Sequence, residues 1–174
     1  MEEEHKIASL LSYQVDGLIL TESHHTPRTL QMIKNAGIPV VETMELPANP
    51  IDMAVGLDHE DASYHVVKQM LDSGKTTIAY FGARLDTRTK LRMQGYDRAM
   101  QEAGLEPKHI LTGEHSSFSL ADGLLERALE MYPNLDGVFC TNDDIAIGTL
   151  LSAQRRQIPV PQQLAVVGYN ALDI

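Results

Sequence analysis

An α/β fold built on parallel sheets is what this sequence predicts, and three observations carry the prediction. Asp16-Gly17-Leu18-Ile19-Leu20-Thr21-Glu22 is echoed by Asp136-Gly137-Val138-Phe139-Cys140-Thr141-Asn142. Each copy has a turn-forming Asp-Gly, an apolar run, a threonine and a polar residue, the pattern of a short strand buried on both faces of a parallel sheet. Strand-like and helix-like segments also alternate along the whole chain, which selects parallel strands joined by helical crossovers. Finally, 43% hydrophobic and 22% charged residues are ordinary values for a soluble globular chain. Two distant copies of the motif predict two similar lobes with ligand-facing edges turned towards one cleft, because open α/β sheets bind ligands at their carboxyl edges.

The elements follow in order. Ile7 to Tyr13 reads as a helix, and Leu18-Ile19-Leu20 as the first strand. Thr26-Pro27 is a helix start, with threonine as N-cap and proline at the first helical position. Leu30, Ile33 and Ala36 line one face of that helix, and Gly37 stops it. Ile38-Pro39-Val40-Val41 is a strand ending at Glu42. Glu45 to Asp52, with Pro47 and Pro50, is a crossover leading to a strand from Met53 to Leu57. Asp61 to Ser73 is helical, with Ala62, Val66, Val67, Met70 and Leu71 at helical spacing. Thr77 to Phe81 is a strand, Gly82 to Asp86 a loop, and Arg88 to Ala103 a helix stopped by Gly104. Ile110-Leu111 is a brief strand. Ser119 and Asp122 form a capping-box-like start to a helix reaching Met131. A helix from Asp143 to about Arg156, then Ile158-Pro159-Val160, and finally the strand segment Leu164-Ala165-Val166-Val167-Gly168-Tyr169 complete the alternation. A parallel lobe cannot close with so few strands at its start, so the sequence reads as an internal portion of a longer bilobed protein.

Composition excludes several functions. The net charge of −10 argues against these residues gripping a polyanion, since nucleic-acid affinity comes largely from lysine and arginine neutralising phosphates. No apolar run approaches the ~20 residues of a membrane-spanning helix, and the acidic start after Met1 has no secretory core. The single cysteine, Cys140, permits no intramolecular disulfide. These features fit the cytoplasm. The seven histidines show no zinc-like spacing. There is no phosphate-cradling glycine loop, nucleophile elbow or acid/base pair, so no catalytic residue, metal or cofactor is expected.

A few residues suit a polar ligand. Arg84, Arg88 and Arg92 follow a buried strand, and Arg88 and Arg92 share a helical face at i, i+4. Arginine forks pair with carboxylates or adjacent hydroxyls, although a solvated face with ion pairs to Asp86 or Asp97 satisfies the same spacing. Asn142 offers a donor and an acceptor to a sugar hydroxyl, while Asp143 or Asn142 equally suits capping of the following helix. Phe118, in the polar loop Ser116-Ser117-Phe118-Ser119, suits stacking on a sugar or burial beneath the loop.

The order of several segments resembles the lac/gal repressor family. They are Val15-Asp16-Gly17-Leu18-Ile19-Leu20, Ala36-Gly37-Ile38-Pro39-Val40-Val41, Gly95-Tyr96-Asp97-Arg98-Ala99-Met100, Leu135 to Asp143, and Leu164-Ala165-Val166-Val167-Gly168-Tyr169. Thr26 to Leu30, Gly82 to Asp86 and Asp136 to Asp144 are similar to the gluconate- and idonate-responsive branch of that family. The resemblance implies a type I periplasmic-binding-protein-like effector core of two Rossmann-like lobes with parallel sheets, incomplete at both ends. Residues 1–57 would form part of the N-terminal lobe and residues 58–174 most of the C-terminal lobe, with the hinge near Leu57-Asp58. It also implies a homodimer whose operator DNA is bound by a helix-turn-helix head absent from this sequence.

By the same resemblance, Arg92, Asn142 and Phe118 fall on effector-binding positions, and Thr21, Glu42 and Leu57 on pocket-lining ones. Arg84 and Arg88 are further carboxylate partners. Many family members have an aspartate after Gly168-Tyr169; here it is Asn170. Removing that anion favours a carboxylated effector, gluconate or a related aldonic acid, over a neutral galactoside. Glu42 opposes such a ligand unless it points away or pairs with a cation. The binding-only alternative is a periplasmic sugar-binding protein of a transporter, which shares the architecture.

Overall fold

The computed structural model describes residues 2–22 and 24–173; Met1 and Ile174, the two ends of the sequence read above, lie outside them. The chain divides into two compact units, Met1–Asp58 and His59–Ile174. Unit 1 runs α1 (Glu2–Ser12), β1 (Leu18–Leu20), α2 (Pro27–Ala36), β2 (Val40–Glu45) and β3 (Met53–Leu57). Unit 2 runs α3 (His59–Asp72), β4 (Ile78–Gly82), α4 (Thr87–Glu102), β5 (Lys108–Leu111), α5 (Leu120–Met131), β6 (Gly137–Cys140), α6 (Asp143–Arg155) and β7 (Ala165–Val167).

In unit 1 the three strands pair in parallel in the order β1-β2-β3. The Thr26 hydroxyl accepts from the Thr29 amide at 3.1 Å, Pro27 opens α2, and Gly37 ends it at φ 63°, as the sequence predicts. Helix α1 begins earlier than the expected Ile7, because Glu2, Glu3 and Glu4 occupy its first turn, where acidic side chains oppose the positive end of the helix dipole. Ile7 and Ile33 of these helices pack with Leu18, Leu20 and Val40 on one face of the sheet. On the opposite face Ile19 is 76% and Val55 67% exposed. Met44 at φ 82° interrupts the two-residue alternation of β2, so that Glu42 and Glu45 are both buried.

Unit 2 is a four-stranded parallel sheet in the order β5-β4-β6-β7. Its central strands have a core on each face, which explains their unbroken apolar runs. Ala79, Phe81, Val138 and Cys140 join the α5 and α6 side. Ile78, Tyr80 and Phe139 join Val67, Tyr96 and Met100 on the α3 and α4 side. The repeated Asp-Gly has a physical role here. The Asp136 carboxylate accepts from the Thr76 and Thr77 amides, each at 2.9 Å, and so fastens the entry to β4 beside β6.

Boundaries and one cap differ from expectation. Helix α3 starts at His59 rather than Asp61, and α4 at Thr87, capped by Asp86, whose carboxylate accepts from the Thr89 amide at 2.9 Å. Strand β5 is longer than Ile110-Leu111. The capping box at Ser119 does not form: Ser119 is already helical and makes no side-chain cap. The Leu120 amide donates to Ser117 Oγ at 3.2 Å instead. Asp122 is drawn away by donors at the end of α6 and just beyond it, namely Ser152, Arg155 and Arg156.

Candidate functional site

The carboxyl edge of the unit 2 sheet collects most of the predicted residues. Arg92 projects from α4 and is only 9% exposed. Its Nη1 donates to the Thr141 carbonyl just beyond β6. Its guanidinium carbon lies 3.8 Å from the centre of the Tyr169 ring, a cation–π contact. Its Nε is buried with no hydrogen-bond acceptor, and no carboxylate among the described residues pairs with it. Burial pulls the Arg92 pKa down, while Tyr169, Tyr80 and Asp86 push it back up. Arginine stays charged in such a setting, so the site holds a buried cation, with the Asp86 and Asp143 charges near it but neither in ion-pair contact.

Asn142 sits one residue beyond Thr141. Its Oδ1 accepts from the Ile145 amide at 3.1 Å and caps α6. Its Nδ2 donates to Ser116 Oγ at 2.6 Å, which ties the loop before α5 to the end of β6. That loop also rests on α6, because a side chain at Gly148 would come within 2.2 Å of the Phe118 carbonyl. Phe118 itself stays 50% exposed.

Asp143 closes the arrangement. Its Oδ1 accepts from the Tyr169 and Asn170 amides at 2.6 and 2.8 Å, and its Oδ2 from the Leu172 amide at 2.7 Å. Gly168 lets the chain pass this carboxylate, since a Cβ there would lie 2.3 Å from Asp143 Oδ1. Behind the site, the Thr141 hydroxyl donates to Thr89 Oγ1 at 3.2 Å and the Tyr80 hydroxyl to the Thr89 carbonyl at 2.9 Å.

The assembled edge offers a cation, amide and hydroxyl groups and an aromatic face. Burial pushes the Cys140 thiol up to about 12, which removes it as a thiolate at neutral pH. Among the described residues no group of three histidine, cysteine or acidic side chains is placed to hold a metal ion. No helix there is long and apolar enough to cross a membrane.

The signature of the periplasmic binding protein-like domain matches residues 67–174. The chain belongs to that family. The HTH-type transcriptional regulator GntR of Escherichia coli (strain K12) is 46% identical over 172 residues, covering 99% of this chain and 52% of that protein. The HTH-type transcriptional regulator IdnR of the same strain is 43% identical over 173 residues, again covering 99% of this chain and 52% of its own length. The chain therefore spans about half the length of these curated relatives. Among solved structures, transcription regulator GntR from Chromobacterium violaceum superposes with a TM-score of 0.93 at 33% identity, covering 98% of this chain and 63% of that one.

Within this periplasmic-binding-protein-like unit the predicted residues fall into three groups. Arg92 and Asn142 meet at the end of β6, Phe118 stands on the adjoining loop, and Asn170 is held beside them by Asp143. Arg84 is exposed, with Nε 3.7 Å from Asp86 Oδ2, the local ion pairing that its spacing also allowed; Arg88 is half-buried on the first turn of α4. In unit 1, Thr21 is exposed just after β1, and Leu57 ends β3 at 49% exposure. Glu42 turns inward: its Oε2 accepts from the Ile51 amide at 2.6 Å and its Oε1 lies 3.5 Å from His25 Nε2. The sequence offers Asp143 only as a helix cap, and it gives no site role to Tyr169, His59 or Ser116. Gly168 was the available signal for Asp143, because a glycine between an apolar strand and a tyrosine marks a close backbone approach.

Proposed function

We propose that this chain is the effector-sensing core of a lac/gal-type transcriptional repressor, and that its effector is D-gluconate or a related aldonic acid. The observation that carries the reading is Arg92. A buried guanidinium with no carboxylate in direct contact and an unbonded Nε is costly, and a ligand carboxylate would pair with it. Asn142, Asn170 and the Phe118 face complement a polyhydroxyl chain through hydrogen bonds and stacking. The presence of Asn170 rather than an acid leaves the edge without a repelling anion at that position, and the inward turn of Glu42 removes the other objection. Thr21 and Leu57 in unit 1, and Arg84 and Arg88 in unit 2, are further contacts suggested by the family resemblance.

Effector binding regulates by differential affinity for two arrangements of the protein, one favouring operator DNA and the other not. Operator contact belongs to a part of the whole protein outside these residues, in keeping with their charge of −10. The regulator acts as a homodimer in the cytoplasm, where its operator lies.

Calorimetric titration of D-gluconate into the full-length protein tests this, with D-galactose as the neutral comparison. Saturable gluconate binding is expected, weakened at least tenfold, roughly 1.4 kcal/mol, by Arg92→Ala and by Asn142→Ala, with galactose silent. Melting curves of each variant separate lost binding from lost folding. A folded wild-type protein that ignores gluconate and related aldonates would rule out the sugar-acid assignment.

A further inference from the structure

Building on the Arg92 reading, we infer that Tyr169 is the positioning residue for the effector-binding guanidinium, and that His59 fixes Tyr169 from behind. Tyr169 is held at two points. Its amide donates to Asp143 Oδ1 at 2.6 Å, and its hydroxyl lies 2.7 Å from His59 Nδ1. The His59 and Phe139 rings flank it, with centroids at 5.5 and 6.5 Å. A ring fixed at its backbone, its tip and its sides has little freedom to rotate. Its face is the surface on which the Arg92 guanidinium lies, at 3.8 Å.

The consequence for Arg92 is geometric. A free arginine side chain carries substantial rotamer entropy, which binding would otherwise have to overcome. Here the ring covers one face of the guanidinium and the Thr141 carbonyl takes Nη1. The edge carrying Nε is left without an acceptor, and a carboxylate is the planar acceptor that suits it. The cation is thus oriented before any ligand arrives, and preorganisation of this kind raises affinity without adding a contact. His59 is the first residue of unit 2 and of α3, so the start of the unit is linked through one hydrogen bond and one ring to the anion-binding group.

Two measurements on the full-length protein test this. In the ligand-free protein, guanidinium NMR should show the Arg92 Nε proton shifted by the Tyr169 ring current. The shift should persist in Tyr169→Phe, which keeps the ring, and disappear in Tyr169→Leu. Titration with D-gluconate should then show Tyr169→Leu weakened about tenfold, in line with a desolvated cation–π contact, and Tyr169→Phe or His59→Phe weakened less. The predicted order is a signature that a purely structural role would not produce in proteins with matched melting temperatures. An Arg92 signal indifferent to Tyr169→Leu overturns the positioning role. A responsive signal in a protein that binds no aldonate upholds the positioning of Arg92 and overturns the sugar-acid assignment, so the two failures are distinguishable.

Discussion

Burial would raise the pKa of Asp143, yet the Leu172, Asn170 and Tyr169 amides, with Arg92 nearby, hold it below the ordinary carboxylate value. Because the folded value is lower than the unfolded one, this group stabilises the fold above the unfolded pKa near 3.8. That contribution is lost as pH falls through the folded value. At neutral pH, Asp143→Asn is expected to cost about 1–3 kcal/mol, the penalty for disturbing buried hydrogen bonds to a charged acceptor. Urea melts should show the gap between wild type and variant narrowing as the pH drops from about 5 to about 2. A gap independent of pH would mean that Asp143 does not act as an anion. The same side chain fixes Tyr169 and Asn170, so the variant should also weaken gluconate binding.

Helices α3 and α4 are in contact where Gly95 faces Glu60, and this closeness sets where Arg92 stands. A Cβ at Gly95 would lie 2.0 Å from the Glu60 carbonyl oxygen and 2.8 Å from the Tyr64 amide nitrogen. Backbone cannot yield as a flexible side chain does, so Gly95→Ala must push the helices apart. Overpacking of this kind costs about 1–3 kcal/mol. Thermal melting should register that loss, and titration should show weaker gluconate binding because Arg92 lies on the same helix, one turn earlier. Unchanged stability would show that the helices separate freely. Tyr64 reinforces the contact, with its hydroxyl donating to Glu102 Oε2 at 2.6 Å and its ring under Arg98 at 4.1 Å.

The two units differ in how completely each covers its sheet. Unit 2 has a packed core on both faces of its sheet. Unit 1 packs one face, while Ile19 and Val55 stand largely exposed on the other. Parallel sheets are normally covered on both faces, and backbone hydrogen bonds near solvent open at lower free energy. In these 174 residues, amides of β1 to β3 should therefore exchange at lower denaturant concentrations than those of β4 and β6. Hydrogen exchange followed through a urea series makes the comparison directly. Equal protection of the two sheets would show that the exposed face does not weaken unit 1.

Sequence alone determined the order of elements and much of their chemistry. The Asp-Gly strands, the Thr26-Pro27 start and the Gly37 stop are local signals, and each acts within a few residues of where it is read. The family pattern set Arg92, Asn142 and Phe118 beside recognisable strands, which is why they could be singled out as candidates. What only the tertiary structure decided were partnerships between residues distant in the chain. Asp122 left its local cap for donors in and just after α6, and Glu42, on the buried face with Val40, found its partners in Ile51 and His25, while Met44 at φ 82° brought Glu45 to that face as well. Asp143, an ordinary helix-start acid in sequence, became the anchor of a segment more than twenty residues away. Tyr169 acquired its place against Arg92 only when β7 came to lie beside β6. Spacing along a chain encodes which way a side chain faces, whereas the identity of its partner depends on packing that no local pattern contains.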